Sequence, residues 1–311
     1  MPSNPSPSGA LPSRFRRLRV LIVGCGDVGQ RAAALLRGRV QLLALTSSRD
    51  RAAGLRRQGI VPLAGDLDAP DTLRRLAGLG HRVLHLAPPP GGPGSDGQRI
   101  DDPRTRALMQ VLVRRAPPAA LVYGSTSGVY GDCNGAWVDE TRRVRPATAR
   151  AQRRVDAEGW VRQAGRRGLR ASILRIPGIY APDREGGTPR ARLERGTPVL
   201  VAGEDVFTNH IHADDLARAC VAALFRGAAQ RTYHASDDTE LKMGDYMDLA
   251  AGLYGLPRPP RVRREDADPR LGAATLSFMG ESRRLVNRRL KAELRMVLRY
   301  PTVATGLLSK E

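Results

Sequence analysis

The chain has 311 residues, of which 41% are hydrophobic and 26% charged, the composition of a globular protein with room for one large α/β domain. Its formal net charge of +20 is carried by arginine, since only three of its 51 basic residues are lysine. The arginines are scattered and aromatic residues make up only 4%, so we expect no nucleic-acid partner. Three distant cysteines and the lack of a long apolar run predict a cytoplasmic protein without a membrane span.

The first predicted strand leads into a glycine-rich turn. The apolar segment 20–23 has the pattern of a buried parallel strand, and an amphipathic helical pattern follows from Ala32. Between them the spacing is Gly-x-Gly-x-x-Gly, which in this context indicates a dinucleotide site, although a plain glycine turn is the alternative. The residues expected to contact the cofactor are Gly24, Cys25, Gly26, Asp27, Val28 and Gly29.

The second strand, 40–45, is followed by Ser47, Ser48 and Arg49. Sites that prefer NAD carry a carboxylate there, about 20 residues beyond the glycines, to bind the ribose. Small hydroxyls and a guanidinium suit a 2′-phosphate instead. The sequence therefore favours NADP, with NAD as the alternative cofactor. The alternative is that Ser47 and Ser48 only cap the next helix.

Two further strand ends are predicted to contribute to the cofactor site. The third strand ends at Asp66 and Leu67, which we expect at the adenine, although Asp66 can also be read as a helix cap. The fourth strand, 82–87, runs into a proline-rich loop. We assign Ala87 and Pro88 to the cofactor site because such folds bind ligands at the carboxyl ends of their strands.

Strands and helices alternate through the first half of the chain. The fifth and sixth strands are predicted at 119–124 and 170–176. This alternation predicts an α/β fold, a Rossmann-type doubly wound parallel sheet. We divide the chain into a disordered tail (1–17), a cofactor-binding domain (18–182) and a small α+β C-terminal substrate lobe (183–311).

In the C-terminal half the pattern predicts three helices and one strand. The helices are expected at 209–224, 241–254 and 283–294, and the strand at 232–236. The first helix begins with polar residues that also suggest a metal site, and we prefer a capped turn. These residues are His210, His212, Asp214 and Asp215.

The pieces above resemble the extended short-chain dehydrogenase/reductase superfamily, specifically its NAD-dependent epimerase/dehydratase group. The similarity is greatest to an atypical branch whose first turn is Gly-x-Gly-x-x-Gly, and it spans roughly residues 19–305. The segments that carry it are 24–29, 65–67, 125–131, Asp139-Glu140, Pro146, Glu158, 174–180 and 210–217.

The resemblance implies that a tyrosine and a lysine four residues later serve proton transfer, with a Ser or Thr binding the reacting oxygen. Counted from Pro146, with Glu158 fixing the register, the tyrosine and lysine positions hold Arg150 and Arg154. Thr126 matches the third member. An arginine cannot donate the proton near neutral pH because its pKa exceeds about 12. Arg154 can still bind a ribose or phosphate as a cation.

Other tyrosines are candidates for the missing acid. They are Tyr123, Tyr130 and Tyr180. We include Tyr130 among the candidate catalytic residues, with packing as its alternative role. The resemblance also assigns Pro177 to the cofactor site.

Two functions remain open at this point. The first is an NAD(P)-dependent epimerase/dehydratase-like oxidoreductase acting on a small polar substrate, with sugar nucleotides among the candidates, and with an active site that lacks the usual pair. The second is a catalytically silent NADP(H)-binding redox sensor or scaffold. The family also implies a homodimer through the helices at 105–115 and 147–165, whose faces carry many arginines.

Overall fold

The computed structural model describes residues 17–91, 99–267 and 279–309. The predicted tail, apart from Arg17, lies outside the described residues, as does part of the proline-rich loop. No helix within the described ranges is long and apolar enough to cross a bilayer.

Strands and helices alternate as predicted. The strands in chain order are β1 (Arg19–Val23), β2 (Gln41–Thr46), β3 (Ile60–Ala64), β4 (Arg82–His85), β5 (Ala120–Thr126), β6 (Trp137–Val138), β7 (Ala171–Ile176), β8 (Gly178–Tyr180), β9 (Val199–Leu200), β10 (Phe207–Thr208), β11 (His210–His212), β12 (Arg231–His234), β13 (Leu241–Lys242), β14 (Arg261–Val262) and β15 (Arg284–Leu285).

The helices are α1 (Asp27–Leu36), α2 (Arg49–Arg57), α3 (Pro103–Leu112), α4 (Ala149–Arg166), α5 (Arg190–Glu194), α6 (Ala213–Arg226), α7 (Met243–Tyr254), α8 (Arg264–Ala267), α9 (Arg288–Ala292) and α10 (Val303–Leu307). Two 3₁₀ helices cover Pro70–Leu76 and Ser127–Tyr130.

Seven parallel strands form the central sheet in the order β12-β7-β5-β4-β1-β2-β3. Helices cover both faces, which is why β1 and β5 are almost continuously apolar. The strand order reverses between β1 and β4, and such a reversal opens a crevice at the carboxyl ends of the strands. The predicted Rossmann-type fold is thus confirmed.

The C-terminal half completes this sheet and also builds a second core. Its strand β12 pairs with β7 at the sheet edge. Its helix α6 packs against α1 in one cluster with β1 and α9. Helix α7 lies in a separate cluster with β9 and α10, beside the carboxyl ends of the central strands.

Two helices predicted in this half begin later than the sequence pattern indicated. The segment 210–212 is strand β11, which pairs with β8, and α6 begins only at Ala213. The segment 284–285 is strand β15, which pairs with β6, and helix α9 covers only 288–292. In both cases the backbone of these residues pairs with a strand that is distant in sequence. The helical periodicity of the sequence does not indicate that pairing.

Candidate functional site

The glycine turn has the local geometry that a dinucleotide site needs. Gly24 has φ +88°, and a Cβ there would lie 2.3 Å from the Ala87 nitrogen, so only glycine fits. A Cβ on Gly29 would lie 2.9 Å from the Gly24 oxygen, which reflects close packing of α1 on β1. A Cβ on Gly26 would meet no atom within 4 Å. The amino end of α1 is therefore open on the side where a pyrophosphate would bind.

After β2 the residues are arranged differently from the prediction. The Ser48 side chain accepts a hydrogen bond from the Arg51 N–H at 3.3 Å and so caps α2. Arg49 is an exposed residue of the first helical turn. Arg51, two residues later, donates from Nη2 to the Cys25 oxygen at 2.9 Å. The cation that lies across the glycine turn is therefore Arg51, which the sequence analysis did not single out.

The two other predicted contributions to the cofactor site lie at the same sheet edge. The Asp66 carboxylate accepts the Asp68 N–H at 2.9 Å within a tight turn, while Leu67 packs against the core. Ala87 is buried beside the glycine turn. Pro88 is exposed, and its carbonyl accepts a hydrogen bond from Arg104 at 3.3 Å. Asp66 does not cap the following 3₁₀ helix, since Ala69 holds that position.

A cleft of about 570 Å³ lies between the carboxyl ends of β5 and β7 and the C-terminal lobe. It is strongly basic, because its described lining carries four arginines and a single carboxylate, that of Glu281. The lining residues used below are Thr126, Arg150, Pro177, Arg184, Arg192, His210, Tyr246, Glu281 and Arg283. Arg184 also reaches Asp27 on the glycine turn at 3.5 Å, so the cleft adjoins that turn.

Thr126 and Arg150 both line this cleft. The Thr126 hydroxyl oxygen accepts the Gly128 N–H at 3.2 Å, and its proton remains able to bind a substrate oxygen. Arg150 is in the first turn of α4. Burial, reinforced by the nearby Arg154 guanidinium, lowers the pKa of Arg150 below its ordinary value. A guanidinium and a hydroxyl that line the same cleft suit an anionic group of a substrate.

Arg154 is directed at strand β5. Its Nη1 donates to the Gly124 carbonyl at 2.7 Å and to the Tyr123 hydroxyl at 3.2 Å. Tyr123 is fully buried, and that burial raises its pKa to about 12. This arrangement fixes the end of the strand that carries Thr126.

Tyr130 lies in a buried polar network behind the cleft. Its hydroxyl contacts the Arg175 Nη1 at 2.7 Å and the His234 Nε2 at 2.5 Å. Arg175 in turn binds both oxygens of Glu158 at 3.0 and 2.8 Å, and Glu158 accepts the Ser125 hydroxyl at 2.7 Å. Burial raises the pKa of Tyr130 to about 12. These contacts fit a packing role better than proton transfer.

The polar residues at the start of α6 are taken up by structural contacts, and Asp214 pairs with the Arg31 guanidinium at 2.6 Å. His212 Nδ1 accepts the Asp214 N–H at 3.2 Å and caps the helix. The Asp215 carboxylate accepts the N–H groups of Arg299 and Tyr300 at 3.0 and 2.8 Å. In the described ranges no three His, Cys, Asp or Glu side chains are grouped as metal ligands would be.

Several cleft residues were missed by the sequence analysis, chiefly Arg184, Arg192, Glu281 and Arg283. They come from the C-terminal half, where neither a motif nor a helical period marks them. For Glu281 and Arg283 the only sequence signal is the run of charged residues after Gly280, which does not reveal that it approaches β5.

The parallel sheet, the glycine turn at its switch point and the adjoining cleft define a dinucleotide-binding α/β enzyme. The family model described as the NAD-dependent epimerase/dehydratase family matches residues 20–235. The chain belongs to that family, which confirms the predicted resemblance and the enzyme class. No curated protein matches the sequence at a significant level.

Solved structures with the same fold cover nearly the whole chain. A conserved protein of unknown function from Silicibacter pomeroyi is 30% identical, with a TM-score of 0.75 over 93% of this chain and 96% of that chain. A UDP-glucose 4-epimerase from Thermotoga maritima with UDP-glucose is 17% identical, with a TM-score of 0.74 over 93% and 96%. A UDP-glucuronic acid 4-epimerase from Bacillus cereus with NAD is 16% identical, with a TM-score of 0.72 over 93% and 95%.

Proposed function

We propose that this protein is an NADP(H)-dependent oxidoreductase of the epimerase/dehydratase type that acts on a small polar, anionic substrate with an active site lacking the usual tyrosine and lysine. The observation that carries the proposal is Arg184, which lines the basic cleft and also contacts Asp27 of the glycine turn. A substrate in the cleft would thus lie next to a cofactor on the turn.

The proposed cofactor site consists of the turn 24–29, the side chains of Asp66 and Leu67, and the strand-end residues Ala87, Pro88 and Pro177. The preference for NADP over NAD rests on Arg51, whose guanidinium would bind the 2′-phosphate. When bound, the nicotinamide supplies reversible hydride transfer. Ser47, Ser48 and Arg49 remain candidate contacts at the edge of the same site.

The proposed substrate carries a phosphate or carboxylate. Support comes from the four arginines that line the cleft. A neutral ligand would not complement their positive charge, whereas an anionic ligand would. Thr126 would bind the reacting oxygen, and Arg150 would neutralise a negative charge next to it. Arg154 would hold β5 in position. Sugar nucleotides remain candidates because two solved structures of this fold are named as UDP-sugar epimerases.

The alternative function is a catalytically silent NADP(H) sensor or scaffold. Arg150 and Arg154 at the tyrosine and lysine positions favour it. A homodimer through α3 and α4 and a cytoplasmic location remain predictions, the second supported by three unpaired cysteines.

Calorimetric titration with NADP⁺, NADPH, NAD⁺ and NADH tests the cofactor, and single-turnover hydride transfer tests the activity. We expect tight binding of NADP(H), reduction of glyoxylate with NADPH or transient reduction of NADP⁺ by UDP-glucose. Binding without hydride transfer to or from any probe would favour the silent sensor. Failure to bind any of the four nucleotides would contradict both functions.

A further inference from the structure

In the usual chemistry of this family a tyrosine exchanges the proton, and at that position this chain has Arg150. The other phenols near the cleft are poor replacements. Tyr123 and Tyr130 are 0% and 1% exposed and hydrogen-bonded to arginines. Tyr180 donates its hydroxyl to the Thr302 carbonyl at 3.2 Å, and burial raises its pKa far above the ordinary value. None of these three hydroxyls is arranged to exchange a proton with a substrate near neutral pH.

Tyr246 also lines the cleft, but burial raises its pKa well above the ordinary value, which leaves His210 as the remaining conventional candidate on the cleft wall. Its ring is packed against Tyr246, with the centroids 4.4 Å apart. Burial, together with the Arg192 guanidinium, lowers the pKa of His210 to about 4. With so low a pKa the imidazole is a weak base, and its protonated acid form is scarce at physiological pH.

Glu281 stands out because it is the one carboxylate among the described residues that line the cleft. Its side chain is 12% exposed, so it is shielded from bulk solvent but open to the cleft. It has two cationic neighbours. Arg283 Nη1 lies 2.9 Å from its Oε2, and Arg150 interacts with it electrostatically.

Glu281 is also close to the hydroxyl that would bind the reacting oxygen. A Cβ placed on Gly128 would lie 3.6 Å from the Thr126 Oγ1 and 3.8 Å from the Glu281 Oε2. The two oxygens therefore lie no more than 7.4 Å apart beside Gly128. A substrate hydroxyl or carbonyl placed between them in the cleft can contact both oxygens.

We propose that Glu281 is the catalytic acid–base of this enzyme and takes the place of the missing tyrosine. This inference rests on the proposed function. In the oxidising direction, the Glu281 carboxylate accepts the proton of a substrate hydroxyl held by Thr126. The hydride leaves the same carbon for the nicotinamide of NADP⁺, so the C–O bond becomes a carbonyl and NADPH is formed.

In the reducing direction the same atoms move back. Glu281 in its acid form donates its proton to the carbonyl oxygen while the carbon receives the hydride from NADPH. The resulting carboxylate is then reprotonated from solvent. Arg150 and Arg283 leave room for a negatively charged substrate group beside the glutamate, since both line the same cleft.

The test compares wild type with Glu281→Gln, Glu281→Asp and the matched control Glu265→Gln, whose side chain is 74% exposed away from the cleft. Single turnovers are measured with NADP⁺ and UDP-glucose and with NADPH and glyoxylate across the pH range. For Glu281→Gln we expect unchanged NADP⁺ binding and a loss of about 100-fold or more in hydride transfer. We expect partial activity in Glu281→Asp. In wild type the rate of substrate oxidation should fall at acid pH, and this fall should be absent from the residual rate of Glu281→Gln.

A second readout is independent of turnover. A water-soluble carbodiimide with glycine methyl ester should modify Glu281 in the wild-type protein, and NADP⁺ with glyoxylate should protect it. Mass spectrometry then locates the label, with Glu265 as the exposed reference. Labelling of Glu265 but not of Glu281 would overturn the proposal.

The outcomes separate this inference from the function on which it rests. Hydride transfer by Glu281→Gln within threefold of wild type, or its loss in His210→Asn alone, would overturn the role of Glu281 and leave the oxidoreductase intact. NADP⁺ binding by wild type without hydride transfer to or from either probe would overturn the enzymatic function, and the acid–base role with it.

Discussion

The guanidinium of Arg51 and the carbonyl oxygen of Cys25 are joined by a hydrogen bond of 2.9 Å, so a cation lies across the middle of the glycine turn. Arg49 lies in the same helical turn, and both arginines are exposed, so the hydrogen bond to Cys25 and not burial distinguishes Arg51. Arg51 is the third residue of α2, and side chains on a helix lean toward its amino end. That direction, which a count along the sequence does not give, brings Arg51 toward the turn.

For cofactor choice we therefore predict different effects of two similar substitutions. Arg51→Asp should weaken NADP⁺ binding about tenfold or more, because it removes a cation from the 2′-phosphate and adds a repelling charge. Arg49→Asp should change it much less. Calorimetric titration with NADP⁺ and NAD⁺ measures both. An equal loss of NADP⁺ affinity in the two variants would contradict a specific contact by Arg51 and would indicate that the overall positive charge of α2 attracts the phosphate.

Two substitutions in the glycine turn should affect different properties, one nucleotide binding and the other the stability of the fold. Gly26→Ala should leave the free energy of unfolding within about 0.5 kcal/mol of wild type, since the new methyl group meets no protein atom, but should abolish tight NADP⁺ binding. Gly29→Ala should destabilise the fold, because its methyl group would lie 2.9 Å from the Gly24 oxygen. Denaturant unfolding and nucleotide titration on both variants check this contrast, which tight binding by Gly26→Ala would refute.

The buried pair of Glu158 and Arg175 supplies a prediction about stability. Their side chains are 5% and 4% exposed. Replacing Glu158 by Gln leaves the Arg175 charge buried without its counter-ion, which should cost about 3 to 5 kcal/mol in the free energy of unfolding. Glu194→Gln, which removes a surface carboxylate 4.0 Å from Arg190, is the matched control and should cost less than about 1 kcal/mol. Equal stabilities in urea unfolding would contradict this account of the network.

Asp237 should make stability depend on pH. It is 4% exposed, and burial raises its pKa from 3.8 to about 7. Folding therefore favours its protonated form, and the stability it contributes is fully present below pH 3.8 and lost as the pH rises through about 7.

Asp237→Asn should remove that dependence. The free energy of unfolding of the variant, minus that of wild type, should therefore rise by about 1.4 kcal/mol for each pH unit between the two pKa values. Taking the difference between variant and wild type cancels the opposite effect of the buried histidines, which destabilise the fold as the pH falls below 6.5. Unfolding curves from pH 5 to 8 measure it, with the exposed Asp71→Asn as control. A difference that stays constant over this range would disprove the raised pKa.

The sequence predicted the fold of the amino-terminal half well and that of the carboxyl-terminal half poorly, for a physical reason. Buried parallel strands are continuous apolar runs, and Gly24, Gly26 and Gly29 follow such a run directly, so local pattern was enough. Strand β15 and the cleft residue Glu281 acquire their surroundings from segments some 150 positions away along the chain. No local period encodes contacts of that kind.

The packing of α6 on α1 has a consequence for how the protein is made. The cluster that buries β1 and α1 also contains Leu290, Leu294 and Met296. A ribosome releases the amino-terminal glycine turn long before it releases those side chains. The nascent chain therefore has the glycine turn early but cannot close the apolar layer beneath it until synthesis is almost complete. Truncation before residue 290 should yield a chain that chaperones retain and proteases degrade.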